Sequence, residues 1–141
     1  MGDIFHPKHG PVVGIPFYGA NLDTALTNSD LLWNGEAGVT LTPGLPAAGS
    51  VVGLSVGANA APSVGTATFS VHSGSTELVS GPTAVIDSVT NTLESSKVAS
   101  SARQHTFAKG ARLGISATTT TTLAATTIDF SAILWVRFDP D

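Results

Sequence analysis

Along most of the chain, apolar residues alternate with polar ones, the period of a half-buried strand and not of a helix. Ala67, Phe69 and Val71 share one side of a segment whose other side is Thr66, Thr68, Ser70 and His72. Val52, Leu54 and Val56 do the same in a strand that begins after Ala47-Ala48-Gly49 and ends near Gly57. Leu113, Ile115 and Ala117 alternate after the Lys109-Gly110 turn, and Val39–Thr42 alternates up to Pro43-Gly44. Leu78-Val79, Ala84–Ile86 and Val89 make shorter strands, and Ser73-Gly74-Ser75 is a tight hairpin reversal. Leu93–Arg103 is polar and reads as a surface connection, and Thr118–Thr122 as a loop or strand ends. Helical periodicity is limited to Leu22–Leu32, capped by Asn21 or Asp23 and too short to be more than a connector. Short strands separated by turns about 8–12 residues apart predict an all-β protein, an antiparallel β-sandwich of jelly-roll-like form.

The first 20 residues break this pattern. Pro7, Pro11 and Pro16 keep the backbone extended, while Ile4, Phe5, Val12, Val13, Ile15, Phe17 and Tyr18 are too apolar for a solvated tail. Residues 1–20 are therefore expected to be an extended N-terminal arm, lying in a groove of a neighbour or packed as an edge strand on its own body. Residues 21–141 are expected to form a single β-sandwich domain.

Ile128–Phe138 is the strongest strand in the sequence and the one that suggests a role. Ile128, Phe130, Ala132, Leu134, Val136 and Phe138 line one side, as a core strand requires. The other side reads Asp129, Ser131, Ile133, Trp135 and Arg137, so two large apolar side chains point away from the core. They need a cover, either the arm of the same chain or another copy, and Ile133, Trp135 and Arg137 are the candidate oligomer interface.

Composition supports a covered surface. Charged residues are 11% of the 141 and hydrophobic residues 42%, and six Lys+Arg against ten Asp+Glu leave a net charge of −4. Such a surface suits neither a phosphate backbone nor anionic lipid, so no nucleic-acid or membrane partner is expected. No apolar run approaches the roughly 20 residues of a membrane span, and residues 1–10 hold no secretory signal. Cysteine is absent, which removes disulfides and thiolate chemistry.

Catalytic motifs are missing as well. The ten carboxylates are spread thinly, with only Asp139 and Asp141 at i, i+2, and no nucleophile elbow, His-Glu-x-x-His, phosphate loop or calcium loop occurs. His6 and His9 flank a proline in the arm and read as solvated. His72 and His105 read as surface histidines, and Trp33 and Trp135 as packed residues and not a sugar platform. No enzyme, cofactor or metal is expected.

Three stretches carry a family likeness: Leu45–Val56 (LPAAGSVVGLSV), Gly65–Val71 (GTATFSV) and Phe107–Ile115 (FAKGARLGI). With the apolar final strand they resemble small virion proteins of tailed bacteriophages, built as trimeric jelly rolls, and more distantly the trimeric C1q/TNF-like heads of bacterial surface filaments. The resemblance implies a capsid decoration (cement) protein, made in the host cytoplasm and placed on the capsid surface of the virion. It would be a homotrimer bound to the major capsid protein, with Ile4, Phe5, Val12 and Val13 as the capsid-contacting arm. The alternative is a phage fibre or spike head binding a host-surface receptor or glycan.

Overall fold

The computed structural model describes residues 10–20, 24–27, 29–33, 36–37, 43–78, 81–88, 93–97, 105–123 and 128–140. They form an all-β, antiparallel β-sandwich with no helix. The strands are β1 (Val12–Ala20), β2 (Ser29–Asp30), β3 (Leu32–Trp33), β4 (Glu36–Ala37), β5 (Gly49–Ala58) and β6 (Thr66–Ser73). They continue as β7 (Thr76–Glu77), β8 (Ala84–Asp87), β9 (Leu93–Lys97), β10 (Thr106–Phe107), β11 (Leu113–Thr119) and β12 (Asp129–Phe138). The large sheet has seven strands in the order β10-β5-β12-β1-β3-β4, with β9 also on β5. The small sheet has five, in the order β2-β11-β6-β7, with β8 also on β6.

The period-2 pattern places the core between the sheets. From the large sheet come Phe17, Val51, Leu54, Val56, Phe130, Ala132, Leu134 and Val136, and from the small one Ala67, Phe69, Val71, Ile86, Leu113, Ile115 and Ala117. Phe69 and Phe130 meet across the gap with ring centroids 5.5 Å apart and planes tilted by 45°. Each such fully buried large side chain stabilises the fold by about 1.5–3 kcal/mol. The Ser73–Thr76 reversal is the expected hairpin, with Gly74 at φ 61° in the left-handed region.

β12 is the spine of the large sheet. It pairs with β1 over all nine residues of that strand, from Val12↔Arg137 to Ala20↔Asp129, and with β5 on its other side. Residues 12–20 are thus extended, as Pro16 favours, but as a strand of the protein's own large sheet. Pro16 lies opposite Ile133, and β3 meets β1 only at Tyr18↔Leu32, so the missing proline N–H deprives no described ladder. Residues 1–9 lie outside the described residues, as do Val39–Thr42, Val79 and Val89.

Three expectations need correction. Leu22–Leu32 holds no helix where it is described: Thr24 and Ala25 form a turn, Ser29–Asp30 pairs with β11 and Leu32 pairs with β1. Strand partners there satisfy the backbone that a short, weakly nucleated helix would leave open. Leu93–Lys97 is a ladder on β5, from Gly57↔Leu93 to Gly53↔Lys97, and not a surface connection. Backbone pairing to an open strand edge needs no apolar side chains. Finally, Val52 is not the core residue of β5. The register with β12 jumps from Gly53↔Trp135 to Val51↔Val136, a bulge at Val52 that turns Val51 inward. Val51 is 1% exposed and Val52 half-buried.

The bulge makes neighbouring valines unequal. Val51→Ala should lower the unfolding free energy by about 2 kcal/mol and Val52→Ala by less than about half of that, measured by urea denaturation. Equal losses would contradict the bulge.

Candidate functional site

The outer face of the large sheet gathers the residues singled out on the last strand. Strand alternation sends Leu134 and Val136 inward and Ile133, Trp135 and Arg137 outward. The β1 register adds Val12, Gly14, Pro16 and Tyr18 to that same face, opposite Arg137, Trp135, Ile133 and Ser131. On the other flank, Gly53 and Ser55 of β5 lie opposite Trp135 and Ile133. The result is a face with Ile133 near its middle, Asp129 at one end and Arg137 at the other.

Ile133 and Trp135 are half-buried within the single chain, and the reason is local. Gly14 leaves a gap in β1 that both side chains fill: a Cβ there would lie 2.8 Å from the Ile133 Cγ2 and 3.0 Å from the Trp135 Cζ3. At its other end the Trp135 indole donates its Nε1–H to the Ser55 Oγ at 3.0 Å. The ring thus lies down across the sheet, held by a glycine on one neighbouring strand and a serine on the other. Trp135 keeps its polar atom satisfied and shows part of its apolar surface outward. Gly14 and Ser55 were not singled out from the sequence. A glycine in a strand otherwise rich in apolar residues was the available signal.

Other apolar side chains on this side are open. Val12 is 49% and Tyr18 45% exposed, and Pro16 is exposed beside Ile133. Val13, on the opposite side of β1, is 39% exposed at the strand's end. Ile4 and Phe5 lie outside the described residues. Tyr18 donates its hydroxyl to Asp129; loss of water around the ring, then the carboxylate's charge and this hydrogen bond, raise the phenol above its ordinary value. The phenol stays a neutral donor.

The outer face of the small sheet shows a buried polar cluster instead. Ser116 Oγ lies 2.7 Å from His72 Nε2 and 3.2 Å from Ser70 Oγ. Ser116 is 0%, His72 6% and Ser70 7% exposed. His72 is therefore not a surface histidine: it points away from the core as expected, but it is buried, its Nε2 bonded to the Ser116 hydroxyl, which in turn bonds Ser70. A serine bonded to a histidine is the geometry of a nucleophile and its base. Here the Ser116 side chain is fully buried between its partners. His105 is half-buried at φ 54°, with its Nε2 buried and lacking a hydrogen-bond partner. Among the described residues no group of three or more His, Asp or Glu side chains is placed to hold a metal, and no helix is long and apolar enough to cross a membrane.

The Thr118–Thr122 run begins as the end of β11, as one of its two readings had it, and also ties down its neighbours. Thr119 Oγ1 accepts the Leu26 N–H at 2.9 Å and Thr120 Oγ1 accepts the Thr66 N–H at 3.0 Å, so these hydroxyls tie down two connections. Ser116→Ala should cost about 1–3 kcal/mol in urea unfolding, because it leaves His72 Nε2 buried without its hydroxyl. A change below about 0.5 kcal/mol would show that the cluster does not stabilise the small sheet.

No family model matches the sequence, and no curated protein does. Among solved structures the chain is similar to the structure of Turnip Yellow Mosaic Virus at 100 K, with 16% identity over 92% of this chain and 93% of that one and a TM-score of 0.34.

Proposed function

We propose that this protein is a structural virion protein of the capsid-decoration type, which joins other subunits through the outer face of its large sheet and adds to the outside of a shell. The observation that carries the reading is that face: half-buried Ile133 and Trp135 lie beside exposed Val12, Pro16 and Tyr18 of β1, on strands paired on both sides of β12. A flat apolar sheet face is a surface that packs on another surface, and it offers no cleft for a small substrate. The composition agrees, since a chain with only 11% charged residues gains little solubility from its own charge and suits a place within an assembly.

The virion assignment itself is supported by the three sequence stretches that resemble tailed-phage virion proteins. Three copies is the count that resemblance implies, with the major capsid protein as the partner beneath. Val12 and Val13 are open at the point where residues 1–9 join β1, which suits an arm that carries Ile4 and Phe5 onto a neighbouring capsid subunit. Several modest contacts made at once by a multimer would release slowly, as a cement requires.

Light scattering at micromolar concentration should give a mass of at least twice 14.2 kDa, and Trp135→Asp should lower it, to a single copy or to the smaller assembly that other surfaces hold, while the far-ultraviolet circular dichroism stays that of the wild type. A wild-type chain that remains a single copy contradicts the reading. Deleting Met1–His9 should leave the sandwich folded and abolish binding to capsids stripped of the protein. Undiminished binding removes the arm from the account, and selective binding on a glycan array would favour a receptor-binding head.

A further inference from the structure

The outer face of the large sheet is self-complementary in charge. Along β12 the outward residues run Asp129, Ser131, Ile133, Trp135, Arg137, with the acid at one end, the base at the other and Ile133 in the middle. Both charged side chains are half-buried, so they lie against the face and do not reach far into solvent. Eight residues of strand separate them by about 26 Å, too far to pair within one chain.

With their strands aligned, as sheets commonly pack, two identical faces can meet in two orientations, each with a two-fold axis lying in the plane between them. If the axis runs along the strands, Asp129 falls over the partner copy's Asp129 and Arg137 over its Arg137, which repels at both ends. If the axis runs across the strands, β12 of one copy is antiparallel to β12 of the other. Ile133 then lies over Ile133 at the axis, and each Arg137 lies over the partner copy's Asp129. The second orientation buries the apolar middle and pairs both charges. A three-fold ring has no such option, because a ring joins two different surfaces and this face would have to meet something unlike itself.

We infer that the partner of this face is a second copy of the chain, packed sheet on sheet about a two-fold axis through Ile133, with two symmetry-related Arg137–Asp129 pairs at its ends. The inference rests on the proposed function only in taking this face as the assembly surface. The pairing joins single copies into dimers, or joins trimers held by other surfaces into hexamers, so the assembly has an even number of copies. Trp135 then lies between the central Ile133 contact and the charged rim, where water is excluded from it. Asp129 keeps its Tyr18 hydrogen bond in the pair, because one carboxylate accepts from the phenol and from a guanidinium together.

Charge reversal tests this directly. Arg137→Asp alone and Asp129→Arg alone should each weaken the association by about tenfold or more in analytical ultracentrifugation, since each places like charges across the axis. The double variant Arg137→Asp/Asp129→Arg should recover wild-type association, because the reversed ends again match. Asp129→Asn, which keeps an acceptor for Tyr18, serves as the milder variant if Asp129→Arg does not fold, and should weaken association less than the reversal. Masses of two or six copies with rescue in the double variant support the inference. Single reversals without effect, or a double variant no better than either, overturn it. An odd-numbered assembly that Trp135→Asp still dissociates overturns the two-fold pairing and leaves the docking face standing. An assembly indifferent to Trp135→Asp, or a chain that stays single, overturns both.

Discussion

A strand paired on both sides has no backbone groups left to offer, so whatever else it does falls to its two faces. That constraint governs β12, which is hydrogen-bonded to β5 and to β1 along nearly its whole length. Its inner face supplies Phe130, Ala132, Leu134 and Val136 to the core, all at most 2% exposed. Among the described residues no second sheet lies above its outer face. Any apolar residue placed there is therefore either laid flat by its neighbours or left for another molecule to cover.

The structure shows the first remedy carried partway. Gly14 makes room for Ile133 and the indole ring of Trp135, and Ser55 takes the indole N–H. This lowers the exposure of both side chains without hiding them. The arrangement also keeps the indole low on the sheet, since a Trp135 ring standing upright would hold a second sheet away. The same details that let a single copy tolerate the face also fit it for packing against another flat surface.

Much of this was legible in the sequence, because alternation fixes which side of a strand a residue faces. The outward placement of Ile133, Trp135 and Arg137 and the inward placement of Phe69, Val71, Ile115 and Leu134 follow from period-2 patterning alone. What alternation cannot show is a change of register or the cover on a face. Val51 and Val52 are adjacent and chemically identical, so only the bulge beside Trp135 decides which one enters the core. His72 was correctly placed opposite the core but not recognised as buried, because the neighbours that enclose it and the hydroxyl of Ser116, 44 positions away, belong to the tertiary fold. The same holds for Leu22–Leu32 and Leu93–Lys97, where local composition suggested a connector and distant strands imposed ladders. At the candidate site, Gly14 and Ser55 became visible only when β1 and β5 were seen to flank β12.

The central claim is that the outer face of the large sheet is covered when the protein is assembled. Hydroxyl-radical footprinting across a dilution series, read residue by residue by mass spectrometry, tests it most directly. The account predicts that Trp135 and Tyr18 are protected at high protein concentration and become labelled on dilution, while exposed Val64, on the connection between β5 and β6, is labelled equally throughout. Labelling of Trp135 and Tyr18 that does not change with concentration, at the level of a single copy, would contradict it.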